Sequence, residues 1–258
     1  MTIPFYKYQG TGNDFIVIDN RNELFPKDNH SMIAKMCDRK FGIGADGLLL
    51  LENNNKIDFT MVYYNADGKL GSMCGNGGRC IVHFAKYLNI INEETLFEAI
   101  DGLHEASINN EIVSLKMNDV KDIQINTNSV FLNTGSPHHV EMVEDLKNYN
   151  VEEKGSSIRN TTYGKEGSNI NFVEQVKINI FAVRTYERGV EAETLSCGTG
   201  VTAVAIALSE TNRINTNNVE LQTEGGKLLV HFNKISKAYQ NIYLEGPAKQ
   251  VFKGEWEW

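Results

Sequence analysis

The feature of this sequence that most constrains its fold is an internal repeat. The tetrapeptide Cys-Gly-Asn-Gly at 74–77 returns as Cys-Gly-Thr-Gly at 197–200, which is 123 positions later (197 − 74). Thr-Gly at 11–12 returns at 134–135, again 123 positions later (134 − 11). An apolar, helix-like stretch follows each Cys-Gly-x-Gly. Landmarks that repeat in register over such a distance indicate a duplicated domain.

The local patterns predict strands grouped around a helix in each half. Runs that are β-rich or alternating, bounded by Gly, Asn and Asp, predict strands at 15–19, 48–52, 58–64, 111–117, 177–186 and 227–232. Helix-like patterns lie at 30–40, 79–88 and 201–210. The last of these is apolar nearly all round, which is typical of a helix enclosed by a sheet. The predicted fold class is α/β (α+β), with a polar boundary between the halves near 118–128.

The composition and charge argue against several classes of partner. The chain has 25 basic and 33 acidic side chains, a formal net charge of −8, and no basic run, so nucleic acid is not expected to bind. The longest nearly continuous apolar stretch, 201–208, is far shorter than the ~20 residues of a membrane-spanning helix. The first residues show no secretory signal, so we expect a cytoplasmic protein.

A glycine-rich hexapeptide at 42–47, Gly-Ile-Gly-Ala-Asp-Gly, matches the dinucleotide-binding pattern in spacing only. A dinucleotide site needs a strand before the glycines and a helix after them. Here a helix-like segment precedes and a predicted strand follows, so a nucleotide cofactor is not expected. The signatures of P-loop enzymes, serine hydrolases and zincins do not occur in the sequence.

The four cysteines divide into two kinds. Cys37 and Cys80 have no distinctive context, and such cysteines are most often buried core residues. Cys74 and Cys197 are flanked by glycines and stand at helix starts, where unpaired N–H groups and the helix dipole favour a thiolate. A zinc site is the weaker interpretation, because Cys74 and Cys80 lack the spacing of common ligand pairs.

Two opposed thiols can invert a stereocentre. A deprotonated group removes a proton from one face of a carbon, and a protonated group delivers one to the other face. The titrations of the two thiols would be coupled. Negative charge that develops on a substrate carboxylate would be met by backbone N–H groups around 75–76 and 198–199. We therefore expect Cys74 and Cys197 to face each other across a cleft between the domains.

Motifs from about residue 6 to residue 207 resemble those of the diaminopimelate epimerases. In chain order they are Tyr-Gln-Gly-Thr-Gly-Asn-Asp-Phe at 8–15, Phe-Gly-Ile-Gly-Ala-Asp-Gly at 41–47, Asn-Ala-Asp-Gly at 65–68, Met-Cys-Gly-Asn-Gly-Gly-Arg-Cys at 73–80, Gly-Ser-Pro-His at 135–138, Tyr-Glu-Arg-Gly at 186–189 and Cys-Gly-Thr-Gly at 197–200. The resemblance implies a cofactor-independent isomerase that converts LL- to meso-diaminopimelate in lysine and peptidoglycan biosynthesis. It also implies two pseudo-symmetric domains, each a β-barrel-like sheet wrapped around a central helix, with the active-site cleft between them.

The resemblance also implies roles for particular residues. Cys74 and Cys197 would be the two acid/base groups. The substrate would be held by Asn13, Asn65, Asn169, Glu187 and Arg188, together with Gly75, Asn76, Gly198 and Thr199 at the helix starts. A guanidinium suits bidentate capture of a distal carboxylate, and Glu187 would balance an ammonium. His138 is expected near the reacting thiol, with a purely structural histidine as the alternative.

The implied organisation is an N-terminal domain over 1–119 and a C-terminal domain over 120–248, with a last strand at about 249–258 returning to the first. The expected partners are the small-molecule substrate and a second copy of the chain; no cofactor, metal, nucleic acid or membrane is expected. Three residues depart from the family pattern. Gly47 stands where many relatives carry an amide side chain, Ser136 where Asn is usual, and Gly78 where Ala is common. These departures bear on the groups that contact the reacting amino end of the substrate.

Three other functions stay open at the level of the sequence. A two-cysteine proline or hydroxyproline racemase would use the same thiols but would not need Arg188 to hold a distal group. A cysteine hydrolase would pair Cys197 with His138 and leave Cys74 dispensable. In a binding module the cysteines would be core residues, and no proton of the ligand would exchange with solvent.

Overall fold

The computed structural model describes residues 2–257. The chain divides into two compact units, unit 1 with Met1–Leu115 and Gly246–Trp258, and unit 2 with Lys116–Glu245. The sequence-based domain ranges, 1–119 with 249–258 and 120–248, stay a prediction. Their terminal positions, Met1 and Trp258, lie outside the described residues.

Unit 1 contains the helices α1 (His30–Cys37) and α2 (Gly75–Tyr87). Its strands are β1 (Thr2–Gly10), β2 (Asn13–Asp19), β3 (Gly47–Glu52), β4 (Phe59–Asn65), β5 (Glu94–Ala99) and β6 (Gly102–Asn109), and β7 (Ile112–Met117) begins in unit 1 and ends at the second residue of unit 2. β1 and β2 meet at a tight turn, and α2 is the long helix of the unit.

Unit 2 contains the helices α3 (Val151–Tyr163) and α4 (Gly198–Glu210) and a short 3-10 helix, Leu146–Asn148. Its strands are β8 (Ile123–Ile125), β9 (Ser129–Asn133), β10 (Pro137–Met142), β11 (Asn169–Lys177), β12 (Ile180–Glu187), β13 (Ala192–Thr194), β14 (Asn218–Thr223), β15 (Gly226–Ile235) and β16 (Ala238–Pro247). The chain then adds β17 (Lys249–Glu257) to unit 1, where it pairs antiparallel with β1.

The two units share one order of strand pairings. In unit 1 the successive pairs from β1 to β6 are antiparallel, parallel, antiparallel, parallel and antiparallel. In unit 2 the same alternation runs through β9, β10, β11, β12, β14 and β15. The helices match as well, since α1 and α3 precede the third strand of each series and α2 and α4 precede the fifth. This correspondence confirms the pseudo-symmetry that the repeat predicts.

Each sheet curves around one helix. α2 packs against β1, β2, β3, β4 and β6, and α4 packs against β9, β10, β11, β14 and β15. A single helix reaches that many strands of one ladder only if the sheet wraps around it. Every residue from Val201 to Leu208 is buried, which confirms the prediction of an enclosed, all-round apolar helix. Each large apolar side chain buried there contributes roughly 1.5–3 kcal/mol.

Some local predictions were wrong, and the physical reasons differ. The strand predicted at 177–186 contains a turn, because Asn179 adopts a left-handed conformation (φ 58°) between β11 and β12. The helix-like pattern at 79–88 misses the first turn of α2, because glycines lower helix propensity there, but α2 begins directly after Cys74, as the motif predicted. α3 was missed because only Val151 and Gly155 are buried along it, which leaves no apolar stripe. The expected polar boundary at 118–128 includes β8.

Within residues 2–257, no helix is both long and apolar enough to span a membrane.

Candidate active site

Cys74 and Cys197 occupy equivalent positions, because each is the residue immediately before a helix. Cys74 caps α2 with φ −112° and ψ 118°, and Cys197 caps α4 with φ −119° and ψ 111°. Their carbonyl oxygens accept the first helical hydrogen bonds, from the N–H groups of Gly78 at 2.8 Å and Val201 at 3.0 Å. The first N–H groups of a helix have no acceptor within it, so a helix start is a place where an anion can bind.

In unit 1, Cys74 lies beside Asn13 from the turn between β1 and β2. The Cys74 Sγ lies 3.6 Å from Asn13 Oδ1, and Asn76 Nδ2 donates to the same oxygen at 3.2 Å. Asn13 Nδ2 donates to Asp46 Oδ2 at 2.7 Å. Because a carboxylate only accepts, Asp46 fixes the Asn13 amide with its oxygen toward the sulfur. Three predicted site residues, Cys74, Asn13 and Asn76, are therefore brought together.

Four charged side chains form an ion-paired group, the Asp14 cluster, which holds Asp46. Lys7 pairs with Asp14 at 2.6 Å, and Arg39 pairs with Asp14 and with Asp46 at 2.7 Å. Burial alone would raise the pKa of Asp14, but hydrogen bonds from Arg39 and Lys7 outweigh it and lower this pKa to about 2. With two cations and two carboxylates, the Asp14 cluster is a charge-balanced support for Asn13.

In unit 2, Cys197 is connected to His138 through Thr199. The Cys197 Sγ lies 3.5 Å from the Thr199 Oγ1, and His138 Nε2 lies 2.9 Å from the same oxygen. His138 stands on β10 and is fully buried, whereas Thr199 belongs to the first turn of α4. The structure therefore brings His138 of the motif at 135–138 together with Cys197 and Thr199 of the motif at 197–200.

Asn171 fixes the tautomer of His138. Asn171 Nδ2 donates to the carbonyl oxygen of His139 at 2.8 Å, so the same nitrogen faces His138 Nδ1 at 3.2 Å. Nδ1 is therefore the acceptor, and Nε2 carries the proton that it donates to Thr199. Burial, with a smaller effect of the positive charge of Arg188, lowers the pKa of His138 to about 3. The imidazole is neutral near pH 7.

Asn169 positions the backbone at Arg188. Asn169 Oδ1 accepts the Arg188 backbone N–H at 2.9 Å, and Asn169 Nδ2 donates to Ser136 Oγ at 2.9 Å. The side chain of Arg188 is exposed and donates to the carbonyl oxygen of Glu166 at 3.0 Å. Ser136 thus supplies an acceptor for the Asn169 amide. Among the described residues, no carboxylate forms an ion pair with Arg188.

Asn65 is the exposed last residue of β4 and lies opposite Gly47 of β3. A Cβ at Gly47 would lie 2.5 Å from a ring carbon of Tyr63 and 2.5 Å from the carbonyl oxygen of Tyr64. A side chain at this position would collide with the Tyr63 ring and with the β4 backbone. Among the hydrogen bonds within residues 2–257, none joins the Asn65 side chain to Cys74, so the structure does not bring Asn65 into that group.

The remaining candidates have clear positions. Gly75 and Gly198 are the buried first residues of α2 and α4, and Glu187 ends β12, where it accepts from Thr194 Oγ1 at 3.0 Å. Cys37 and Cys80 are buried, as expected. Burial raises the pKa of Cys37 to about 12 and also raises that of Cys80. Both stay protonated thiols near neutral pH.

The structure bears on two further kinds of site, a metal site and a dinucleotide site. In the described part of the chain, no cluster of three or more His, Cys, Asp or Glu side chains could hold a metal ion. The glycine-rich segment 42–47 lies between α1 and β3. That order is the reverse of the strand, glycine loop and helix that bind a dinucleotide.

Sequence reasoning assigned no role to several residues of these networks, among them Asp14, Asp46 and Asn171. Asp14 and Asp46 lie inside the quoted motifs at 8–15 and 41–47, and that position was a usable signal. Asn171 carried none, since its role depends on the pairing of β10 with β11.

The fold belongs to a known structural class. A phenazine biosynthesis protein of the PhzF family from Bacillus anthracis has a TM-score of 0.80 over 100% of both chains, at 13% identity. A hydroxyproline epimerase from Agrobacterium vitis has a TM-score of 0.73, at 12% identity, and covers 98% of this chain and 92% of its own. At such low identity these likenesses show the fold alone, which is that of the PhzF and proline-racemase type.

Sequence comparison is more specific. The family model for diaminopimelate epimerase matches residues 5–121 and 130–251. The diaminopimelate epimerase of Flavobacterium psychrophilum is 59% identical over 253 residues, 97% of this chain and 99% of the relative. That of Chlorobaculum tepidum is 42% identical over 255 residues, 95% of this chain and 98% of the relative. The chain belongs to the diaminopimelate epimerase family, and the prediction of an isomerase is confirmed.

Proposed function

We propose that this chain converts LL-2,6-diaminopimelate to meso-diaminopimelate, as a step of lysine and peptidoglycan biosynthesis. Family membership supports the substrate. The observation that carries the mechanism is the matched pair of helix starts at Cys74 and Cys197, with the same backbone conformation in both repeats. A cytoplasmic location and a homodimer stay predictions from the sequence.

In the proposed reaction, the thiolate of one cysteine takes the proton from an α-carbon. An S–H bond forms as the C–H bond breaks, and the electron pair of that bond moves onto the carboxylate. The thiol of the other cysteine then delivers its proton to the opposite face, which inverts the configuration and leaves a thiolate on the second sulfur. One proton leaves and one arrives, so the balance closes without an oxidant or a reductant.

The helix starts supply the electrostatic part of the proposal. An α-proton is weakly acidic, so the charge that develops on the carboxylate must be stabilised within the site. We assign this role to backbone N–H groups at Gly75 and Asn76 of α2 and at Gly198 and Thr199 of α4. Removing one donor of this type from an enzyme costs on the order of 10²–10³ in rate. The same groups would bind the substrate and activate it.

Hydrogen bonds in unit 2 support a base at Cys197. His138 Nε2–H donates to the Thr199 oxygen, so the Thr199 hydroxyl proton is directed to another acceptor, and the Cys197 Sγ lies 3.5 Å away. A hydrogen bond to the charged form of a thiol favours the thiolate. His138 is thereby a positioning residue that acts through Thr199, and its neutral state adds no second charge.

The remaining site residues are proposed to select the substrate. The exposed guanidinium of Arg188 has no carboxylate partner among residues 2–257, which suits it to bind the distal carboxylate. Glu187 is proposed to balance a substrate ammonium, and Asn65 to hold a polar group of the substrate. Asn169 is proposed to support Arg188, because Asn169 Oδ1 accepts the Arg188 backbone N–H.

The decisive experiment is incubation with LL-diaminopimelate in deuterated water. We expect deuterium at one α-carbon together with meso product. Label without inversion would indicate a single base, and activity on proline without activity on diaminopimelate would select a proline racemase. Cys74→Ala and Cys197→Ala are each expected to abolish product formation. Meso product from Cys74→Ala would contradict the two-thiol mechanism, and a hydrolytic activity that persists in Cys74→Ala would favour the cysteine hydrolase.

A further inference from the structure

Arg79, the fifth residue of α2, is a guanidinium with no exposed surface. Its Nη2 donates to Thr11 Oγ1 at 3.1 Å and to Asn76 Oδ1 at 3.0 Å, and its Nη1 lies 3.5 Å from the carbonyl oxygen of Gly75. Its Nε has no hydrogen-bond partner, and no carboxylate among the described residues pairs with it. All the groups that Arg79 contacts are therefore neutral.

A buried cation without a counter-ion reduces the stability of a fold. Burial lowers the pKa of Arg79 to about 10, and the sulfurs of Cys80 and Cys74 act in the opposite direction. Arg79 therefore keeps its charge at neutral pH. Arg184 in unit 2, by contrast, has a carboxylate partner, because it pairs with Glu193 at 2.6 Å. Stability alone does not explain an arginine placed like Arg79.

Arg79 sets the direction of a chain of hydrogen bonds that reaches Cys74. A guanidinium only donates, so Asn76 turns its oxygen to Arg79 and its nitrogen to Asn13 Oδ1. At the far end Asp46 only accepts, so Asn13 turns its nitrogen to Asp46. Both amides are thus fixed from both sides. The oxygen of Asn13, and not its nitrogen, faces the Cys74 sulfur.

Arg79 is also the charge left over once the others around this end of α2 are paired. The Asp14 cluster balances its own charges, and burial raises the pKa of both Cys80 and Tyr8, which keeps them neutral. The approach of β1 to the guanidinium depends on Gly10, because a Cβ there would lie 3.3 Å from Arg79 Nη2. Because no neighbouring carboxylate neutralises it, the positive charge of Arg79 adds to the positive end of the α2 dipole.

We propose that Arg79 is a positioning residue for the Cys74 end of the active site, which fixes the Asn76 and Asn13 amides and supplies an unneutralised positive charge beneath the start of α2. The inference rests on the proposed function in one respect: the anion that this charge favours is the Cys74 thiolate, which the proposed reaction uses as a base. Arg79 acts through its neighbours and is not itself a catalytic residue.

Two variants test the proposal. Arg79→Met removes the charge and the donors, whereas Arg79→Lys keeps the charge but not the planar fork. The first readout does not depend on turnover: it is the pH midpoint of Cys74 alkylation by iodoacetamide in ligand-free protein, measured by peptide mass spectrometry, because only the thiolate reacts. The second readout is kcat and KM with diaminopimelate, and the third is the thermal midpoint. Arg21→Met, which removes a surface arginine paired with Asp19, is the control.

In Arg79→Met we expect the Cys74 alkylation midpoint to rise by about one pH unit, which is about a tenfold loss of thiolate near neutral pH. The thermal midpoint of this variant should equal or exceed that of the parent, since an unpaired buried charge is removed. Arg79→Lys should keep the parental alkylation midpoint but lose about tenfold or more in kcat, because one ammonium cannot hold the amides as the fork does. Arg21→Met should match the parent in every readout.

An unchanged Cys74 midpoint in folded Arg79→Met would overturn the proposal, and a lower thermal midpoint with that result would mark Arg79 as purely structural. If Arg79→Met does not fold, Arg79→Lys decides, and parental kcat and KM in that variant would overturn the positioning role. Failure of the proposed function is a separate result. The parent would then place no deuterium in diaminopimelate, whereas the shift of the alkylation midpoint would still be measured.

Discussion

The neutral imidazole of His138 should make unit 2 sensitive to acid. Burial, with a smaller effect of Arg188, lowers the pKa of His138 to about 3 in the folded protein, whereas an unfolded chain has a histidine pKa of about 6.5. Between these values the unfolded chain binds a proton that the folded chain does not. The free energy of unfolding therefore falls as the pH is lowered from about 6.5 toward 3, and the full stability is present above that window.

The magnitude follows from the two pKa values of His138. Well inside the window the loss is about 1.4 kcal/mol per pH unit, which amounts to about 2 kcal/mol at pH 5 compared with pH 7.5. The Asp14 carboxyl does not interfere, because its ordinary pKa of 3.8 and its folded-state pKa of about 2 both lie below pH 5. The other histidine with a lowered pKa, His83, belongs to unit 1, so the measurement is made on unit 2.

Native-state hydrogen exchange of α4 peptides measures this effect. Tryptophan fluorescence is not the measurement of choice, because the sequence has its two tryptophans at 256 and 258, outside the range 116–245 of unit 2. We expect the opening free energy of α4, corrected for intrinsic exchange, to be about 2 kcal/mol lower at pH 5 than at pH 7.5. The difference should vanish in His138→Gln, even if that variant is less stable at both pH values. Equal pH dependence in parent and variant would refute the reasoning.

Gly47→Ala should destabilise unit 1 by about 1–3 kcal/mol in urea unfolding, because its Cβ would lie 2.5 Å from a carbonyl oxygen of β4; Gly77→Ala, with its nearest neighbours 3.4 Å away, should change the midpoint little. Arg188→Met should raise KM for diaminopimelate about tenfold or more at an unchanged thermal midpoint. Arg184→Met, which loses the ion pair with Glu193 of β13, should instead lower the thermal midpoint and leave KM unchanged. Asn150→Ala removes the N-cap of α3 and should cost about 1 kcal/mol, seen as faster hydrogen exchange in its first turn. Parental KM in Arg188→Met, or equal effects of the two glycine variants, would contradict these expectations.

The internal repeat predicted more of the fold than local propensity did. A repeat in register requires no knowledge of contacts, and it was sufficient to predict two equivalent units with a cysteine at the start of each enclosed helix. Local patterns predicted α1 and α4 because their apolar residues are dense and continuous. They predicted the strand β12 within 177–186 but missed the turn at Asn179, across which apolar residues continue, and they missed α3, where almost nothing is buried.

From the order and type of its residues alone, this chain revealed two thiols, the helix starts that carry them and the motifs that surround them. Tertiary structure decided the direction of each hydrogen bond: which atom of Asn13 faces Cys74, which nitrogen of His138 carries the proton, and that Arg79 is buried without a carboxylate. An amide or an imidazole can donate or accept at the same position, so its direction is set by a partner that can do only one of these. Such partners come from distant parts of the chain and reach the site only when the strands have paired.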